Sequence, residues 1–90
     1  MPPASLHDEL VQALTAQLTP TELELVDDSA AHAGHAGAGS GSHFNLRITS
    51  ARFTGLSRIA RHRLVYDALR PWMAASVHAL AIDARTPDQA

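Results

Sequence analysis

The stretch Ala30 to Ser42 (AAHAGHAGAGSGS) holds four of the five glycines of the chain and no large apolar residue. It has nothing to bury, so it reads as a mobile loop over about residues 30–42. Any core must be assembled from the segments on either side of it. At 90 residues the chain buries only about two-thirds of its unfolded surface. That suffices for a single domain over residues 1–90 and excludes two.

Before the loop, Leu6, Leu10, Leu14 and Leu18 recur at helical spacing with Val11 and Ala13 alongside, so Ser5 to Leu18 reads as an amphipathic helix. Ser5 caps it, with Asp8 three residues on, and Thr19-Pro20 stops it because proline cannot continue the pattern. Leu23 to Val26 reads as a short strand running into the turn residues Asp27-Asp28-Ser29. After the loop, Phe44 to Thr49 alternates apolar and polar, the signature of a half-buried strand, so the loop joins two antiparallel strands.

Phe53 and Gly55 mark a further turn. From Ser57 the helical period returns, with Ile59, Leu64, Val65, Ala68, Leu69, Trp72 and Met73 on one face and a kink or break expected at Pro71. Val77 to Ile82 reads as a strand covered on at least one face. Thr86-Pro87-Asp88 starts a final helical turn within a short C-terminal tail, about residues 85–90. The order helix, strand, strand, helix, strand predicts an α+β two-layer sandwich with its helices on one face of a three-stranded sheet.

Composition removes whole classes of function. Cysteine is absent, so the chain has no disulfide framework, no thiolate zinc site, no thiol nucleophile and no cluster held by its own sulfur. Lysine is absent too, which excludes Schiff-base chemistry and leaves seven arginines as the entire positive charge. The segment MPPASLHDEL has no basic n-region or apolar h-region, and no run approaches the ~18 apolar residues of a membrane span. A cytoplasmic protein with no membrane partner is expected. Charge is segregated: residues 1–46 carry -6, residues 47–70 carry +5 and residues 71–90 carry -1. A basic patch on an otherwise acidic chain marks an interaction surface.

No serine sits in a Gly-x-Ser-x-Gly elbow, and the glycine run Gly37-x-Gly39-x-Gly41 precedes a strand instead of opening a helix. Gly34-His35-Ala36-Gly37 matches the Gly-x-x-Gly of K-homology domains only formally, since that motif links two helices and this one lies between strands. An enzyme is not expected.

The six histidines are better candidates, because neutral imidazole is a common metal ligand. His32 and His35 lie in the loop, where they form an incomplete site that a partner or small molecule would complete, or simply decorate a solvated loop. His7 reads as surface, His43 as a residue at a strand entrance and His62 as a polar neighbour of the helix arginines. Arg58, Arg61, Arg63 and Arg70, with Arg47 and Arg52, either neutralise phosphates or form a solvated face paired to the acidic half.

Four stretches in order carry a more specific signal: Leu23 to Ser29 followed by His32; Ser42-His43-Phe44; Arg52-Phe53-x-Gly55 leading to Arg61-His62-Arg63-Leu64-Val65-Tyr66; and Val77-His78-Ala79-Leu80. Together they resemble the BolA family over nearly the whole chain. The resemblance implies a compact α/β fold related to K-homology domains, with helices on a three-stranded mixed sheet. It also implies pairing with a monothiol glutaredoxin and sharing of a [2Fe-2S] cluster, in iron-sulfur cluster trafficking or iron-redox signalling. Some bacterial members are DNA-binding transcriptional regulators of morphology and stress response.

By the same resemblance, the cluster ligands fall on His78 and, from the loop, on His32; His35 is an additional imidazole whose role stays open. A glutaredoxin cysteine and glutathione supplied by that partner would hold the second iron. The chain is then a monomer alone and a heterodimer with its partner. Imidazole in place of thiolate raises the cluster potential and ties retention to pH, because imidazolium cannot ligate.

This chain departs from the family in its longer glycine-alanine loop and in Pro71-Trp72, where acidic residues are common. Arg61-His62-Arg63, with Arg58, suits a nucleic-acid or partner contact; the other reading is an anchor for the turn at Gly55. Two functions follow: a non-enzymatic cluster-sharing adaptor, or a transcriptional regulator that places the arginine-bearing helix on DNA.

Overall fold

Helix α1 (Leu6–Leu18) is closed at both ends by local chemistry. Ser5 Oγ accepts the Asp8 N–H at 3.1 Å, satisfying one of the donors that a helix start leaves without a partner. Thr19 ends the helix in the left-handed region at φ 41°, its N–H donating to the Thr15 carbonyl, ahead of Pro20. Leu10, Leu14 and Leu18 are buried, as the periodicity requires. The computed structural model describes residues 5–27, 42–74 and 77–89, with Ser42 and His78 described by backbone alone. The expected loop at about 30–42 therefore falls almost entirely outside the described residues.

Strands β1 (Glu22–Asp27) and β2 (Ser42–Thr49) pair antiparallel, with Glu22 opposite Thr49 and Asp27 opposite Phe44. Strand β3 (Val77–Arg85) runs parallel to β2, giving a mixed sheet of order β1-β2-β3. The β2 to β3 crossover contains a 3-10 turn (Ala51–Phe53), helix α2 (Arg58–Ala68) and the short helix α3 (Arg70–Met73). The helices pack on one face, as an α+β sandwich demands. Leu25, Phe44, Leu46, Ile48 and Val77 from the sheet join Leu10, Leu14, Leu18, Phe53, Val65 and Leu69 in one core. The alternate sheet residues, among them Glu24, Val26, Asn45, Arg47, Ala79, Ala81 and Asp83, are exposed.

Four details differ from the sequence pattern. β3 continues three residues past the expected end at Ile82, because Asp83 and Arg85 stay paired in register with Arg47 and Thr49 on β2. A strand with one open face tolerates charge there. Ile59 does not share the core face of α2: it is 72% exposed, because at 3.6 residues per turn it lies roughly 120° around the helix from Val65. The expected break falls at Leu69, with Pro71 in the first turn of α3, where its missing N–H does no harm. His7 is half-buried, not merely a surface residue, and its Nε2–H donates to the Leu25 carbonyl at 2.6 Å.

The fully buried Ser50 ties the lower end of the fold together. Its Oγ donates to the Leu18 carbonyl at 2.6 Å and accepts the Arg52 N–H at 3.1 Å, while its own N–H donates to the Arg85 carbonyl at 2.9 Å. The neighbouring Thr49 Oγ1 is buried with no hydrogen-bond partner. Such a group loses its hydration without compensation. Thr49→Val keeps the β-branched shape and removes the orphan, so it is expected to raise stability by about 1 kcal/mol. A urea-unfolding midpoint below that of the parent protein would contradict this account.

Candidate functional site

The strand ends converge on one end of the sheet. β1 finishes at Asp27 and β2 starts at Ser42, so both ends of segment 28–41 are rooted there. β3 also begins there, with Val77 paired to Ser42. The register then steps to His43 opposite Ala79, leaving His78 as the extra residue of a β-bulge. Bulges locally re-aim the chain and are enriched beside functional sites. The bulge also shifts side-chain parity: Val77 is buried and Leu80 packs on the core three residues later, which unbroken two-residue alternation forbids.

The candidate ligands divide unevenly over this end. His78 is placed there by its backbone, whereas His32 and His35 lie outside the described residues. His43 is half-buried on β2, beside the bulge. Among the described residues no group of three or more histidine or carboxylate side chains is arranged to hold a metal ion.

The arginine-bearing surface lies toward the other end of β3. Helix α2 starts from Ser57, whose Oγ accepts the Ala60 N–H at 3.1 Å. Arg58 and His62, one turn apart, line an open groove of about 550 Å³ together with Leu56, Arg61, Ile82, Asp83 and Ala84. Arg61 is turned inward. Its Nε donates to the Leu56 carbonyl at 3.0 Å, and Nη1 donates to the Ala84 carbonyl at 3.2 Å and to Gln89 Oε1 at 2.8 Å. Arg61 thus anchors α2 to the turn that follows Gly55 (φ +78°), to β3 and to the turn at Thr86–Gln89.

Asp83 in the groove accepts from Arg85 Nε and Nη2, both at 2.9 Å. That hydrogen bonding, helped by the charges of Arg85, Arg47 and Arg58 against slight desolvation, holds its carboxyl below the usual aspartate range. The Thr86 hydroxyl donates to Asp88, lowering that carboxyl in the same sense. Arg63 is exposed outside this groove, and Arg70 pairs with Asp67. Among the described residues no ion pair joins the basic segment to the acidic first half. Of the proposed contact residues, Arg58, His62 and Arg63 therefore face outward or into the groove, and Arg61 is engaged within the fold.

Residues 14–89, which include Val77-His78-Ala79-Leu80, match the family model described as "BolA-like protein". The chain belongs to the BolA family. It is 46% identical over 86 residues to BolA-like protein 1 of Mus musculus, covering 96% of this chain and 58% of that protein. It is also 46% identical over 82 residues to SufE-like protein 1, chloroplastic/mitochondrial, of Arabidopsis thaliana, covering 84% of this chain and 22% of that protein. The chain thus spans less than two-thirds of the length of these relatives. Among solved structures, the BolA domain of SufE1 from Arabidopsis thaliana superposes with a TM-score of 0.84 at 43% identity, covering 99% of this chain and 100% of that one. The fold is therefore the BolA fold. Among the described residues no helix is long and apolar enough to cross a membrane.

Proposed function

We propose that this BolA-family chain is a non-enzymatic adaptor that pairs with a monothiol glutaredoxin and co-ligates a [2Fe-2S] cluster through His32 and His78. A cysteine of the glutaredoxin and glutathione would complete the other iron. One observation carries the reading: segment 28–41, which holds His32, is rooted at the sheet end where the bulge places His78. The donor set fits as well. The chain has no cysteine, so its donors here are imidazoles, and His32 and His78 supply the two terminal ligands of one iron.

An incomplete site of this kind requires a partner, which is the chemistry of an adaptor in cluster trafficking or iron-redox signalling. It also requires reduced thiols, and the cytoplasm supplies them. The DNA reading rests on Arg58, His62 and Arg63 at the surface and loses Arg61 to hydrogen bonds within the fold.

The test is a visible absorption and circular dichroism titration of this chain into a [2Fe-2S] monothiol glutaredoxin loaded with glutathione. The expected result is a changed spectrum that saturates at one chain per glutaredoxin and is lost in His32→Ala and His78→Ala. An unchanged spectrum with no complex on sizing would overturn the proposal.

A further inference from the structure

Cluster ligation makes no use of the outer face of α2. Ile59, His62, Arg63 and Tyr66 stand at i, i+3, i+4 and i+7, a single stripe along the helix. They line a hollow of about 270 Å³. Isolated exposed apolar residues are ordinary, but two of the three large apolar residues exposed among the described residues, Ile59 and Tyr66, lie on this stripe. Arg63 lies on it and Arg58 stands beside it, and neither has a hydrogen-bond or ion-pair partner among the described residues.

We infer that the outer face of α2 docks an amphipathic acidic helix of a second protein, whose apolar side chains cover Ile59 and Tyr66 and whose carboxylates meet Arg58 and Arg63. The stripe spans two helical turns, about 10 Å, the length over which a helix lays its own i, i+3, i+4, i+7 anchors onto a partner. The charge decides the sign of that partner, since residues 47–70 carry +5. A second copy of this chain is disfavoured, because a two-fold contact through α2 would bring together two faces that both carry Arg58 and Arg63. DNA is disfavoured because the face presents the aliphatic Ile59, 72% exposed, and Arg61 is occupied within the fold.

The face also lies apart from the His78 end. The start of α2 borders Asp83 and Ala84, five and six residues along β3 from His78, or about 17–20 Å of strand. A protein docked on α2 therefore leaves the His78 end open. The inference does not depend on the cluster reading.

Fluorescence anisotropy with a labelled helical peptide tests it. The peptide carries leucines at i, i+3, i+4 and i+7 with glutamates beside them, and it is compared with a scrambled peptide of identical composition and with a labelled DNA duplex. The expected result is saturable binding of the patterned peptide alone, weakened roughly tenfold or more by Ile59→Ser and by Arg63→Glu. Unchanged thermal midpoints for both variants would show that the fold is intact. Equal binding of the scrambled peptide, no binding, or no response to Ile59→Ser would overturn the inference. Displacement of the peptide by the duplex would assign the face to nucleic acid, and a dimer on sizing that Ile59→Ser dissolves would assign it to a second copy; either result also overturns it.

Discussion

Phe53→Ala is expected to lower the stability of the fold by about 3–5 kcal/mol, the usual loss when a buried phenylalanine is truncated in a packed core. Phe53 is the largest fully buried side chain among the described residues. It sits in the 3-10 turn between β2 and α2 and belongs to the same core as Leu10, Leu14, Ile48, Val65 and Leu69. A domain this small lies toward the lower end of the roughly 5–15 kcal/mol range of native stabilities, so the substitution removes much of the total. Phe53→Leu retains most of the volume and is expected to lose less than half as much. Urea unfolding of both variants reads the difference as a shift in midpoint at constant slope. Equal midpoints for the two would show that the ring does not fill the core as described.

Phe53 also shows what made the fold legible. The leucine spacing of α1, the alternation of β2 and the turn signal at Phe53-x-Gly55 each rest on neighbours within a few residues, and each reappears in the structure. What escaped depends on contacts distant in sequence. The His7 bond to Leu25 joins a helix to a strand 18 residues away. The inward turn of Arg61 depends on carbonyl acceptors at Leu56 and Ala84 and on the Gln89 side chain. Composition shows seven arginines and a charged helix, and it cannot tell which guanidinium is already taken.

The candidate ligand site divides in the same way. Residue type pointed to the histidines, and the family resemblance selected His32 and His78 among them. Neither reveals that His78 interrupts the pairing of β3 with β2. That depends on the registers of two strands separated by the whole crossover, and only the assembled sheet contains it. The bulge means that a substitution at position 78 acts where the ladder is already irregular. Its structural effect is therefore expected to be smaller than that of a core residue, and its effect on the cluster larger.

A comparison of His78→Ala with His78→Cys isolates that effect. Under the adaptor reading, alanine removes one of two ligands to an iron and should abolish the shared-cluster spectrum, while cysteine restores a ligand and should restore a cluster. The restored cluster carries an added negative charge, which moves its reduction potential downward. Acidification adds an independent reading. Imidazole ligates only when neutral, so the parent complex is expected to release its cluster as pH falls below roughly 6.5, the ordinary histidine range. Two imidazoles then compete with protons. In His78→Cys one of them is replaced by a thiolate, so release should be shallower with pH while the His32 contribution persists. Absorption and dichroism followed across the acid range, with a spectroelectrochemical potential for each variant, measure both effects. If His78→Ala retains the spectrum and the acid profile of the parent complex, position 78 contributes no ligand, and the bulge must be explained by the packing of Val77 and Leu80 alone.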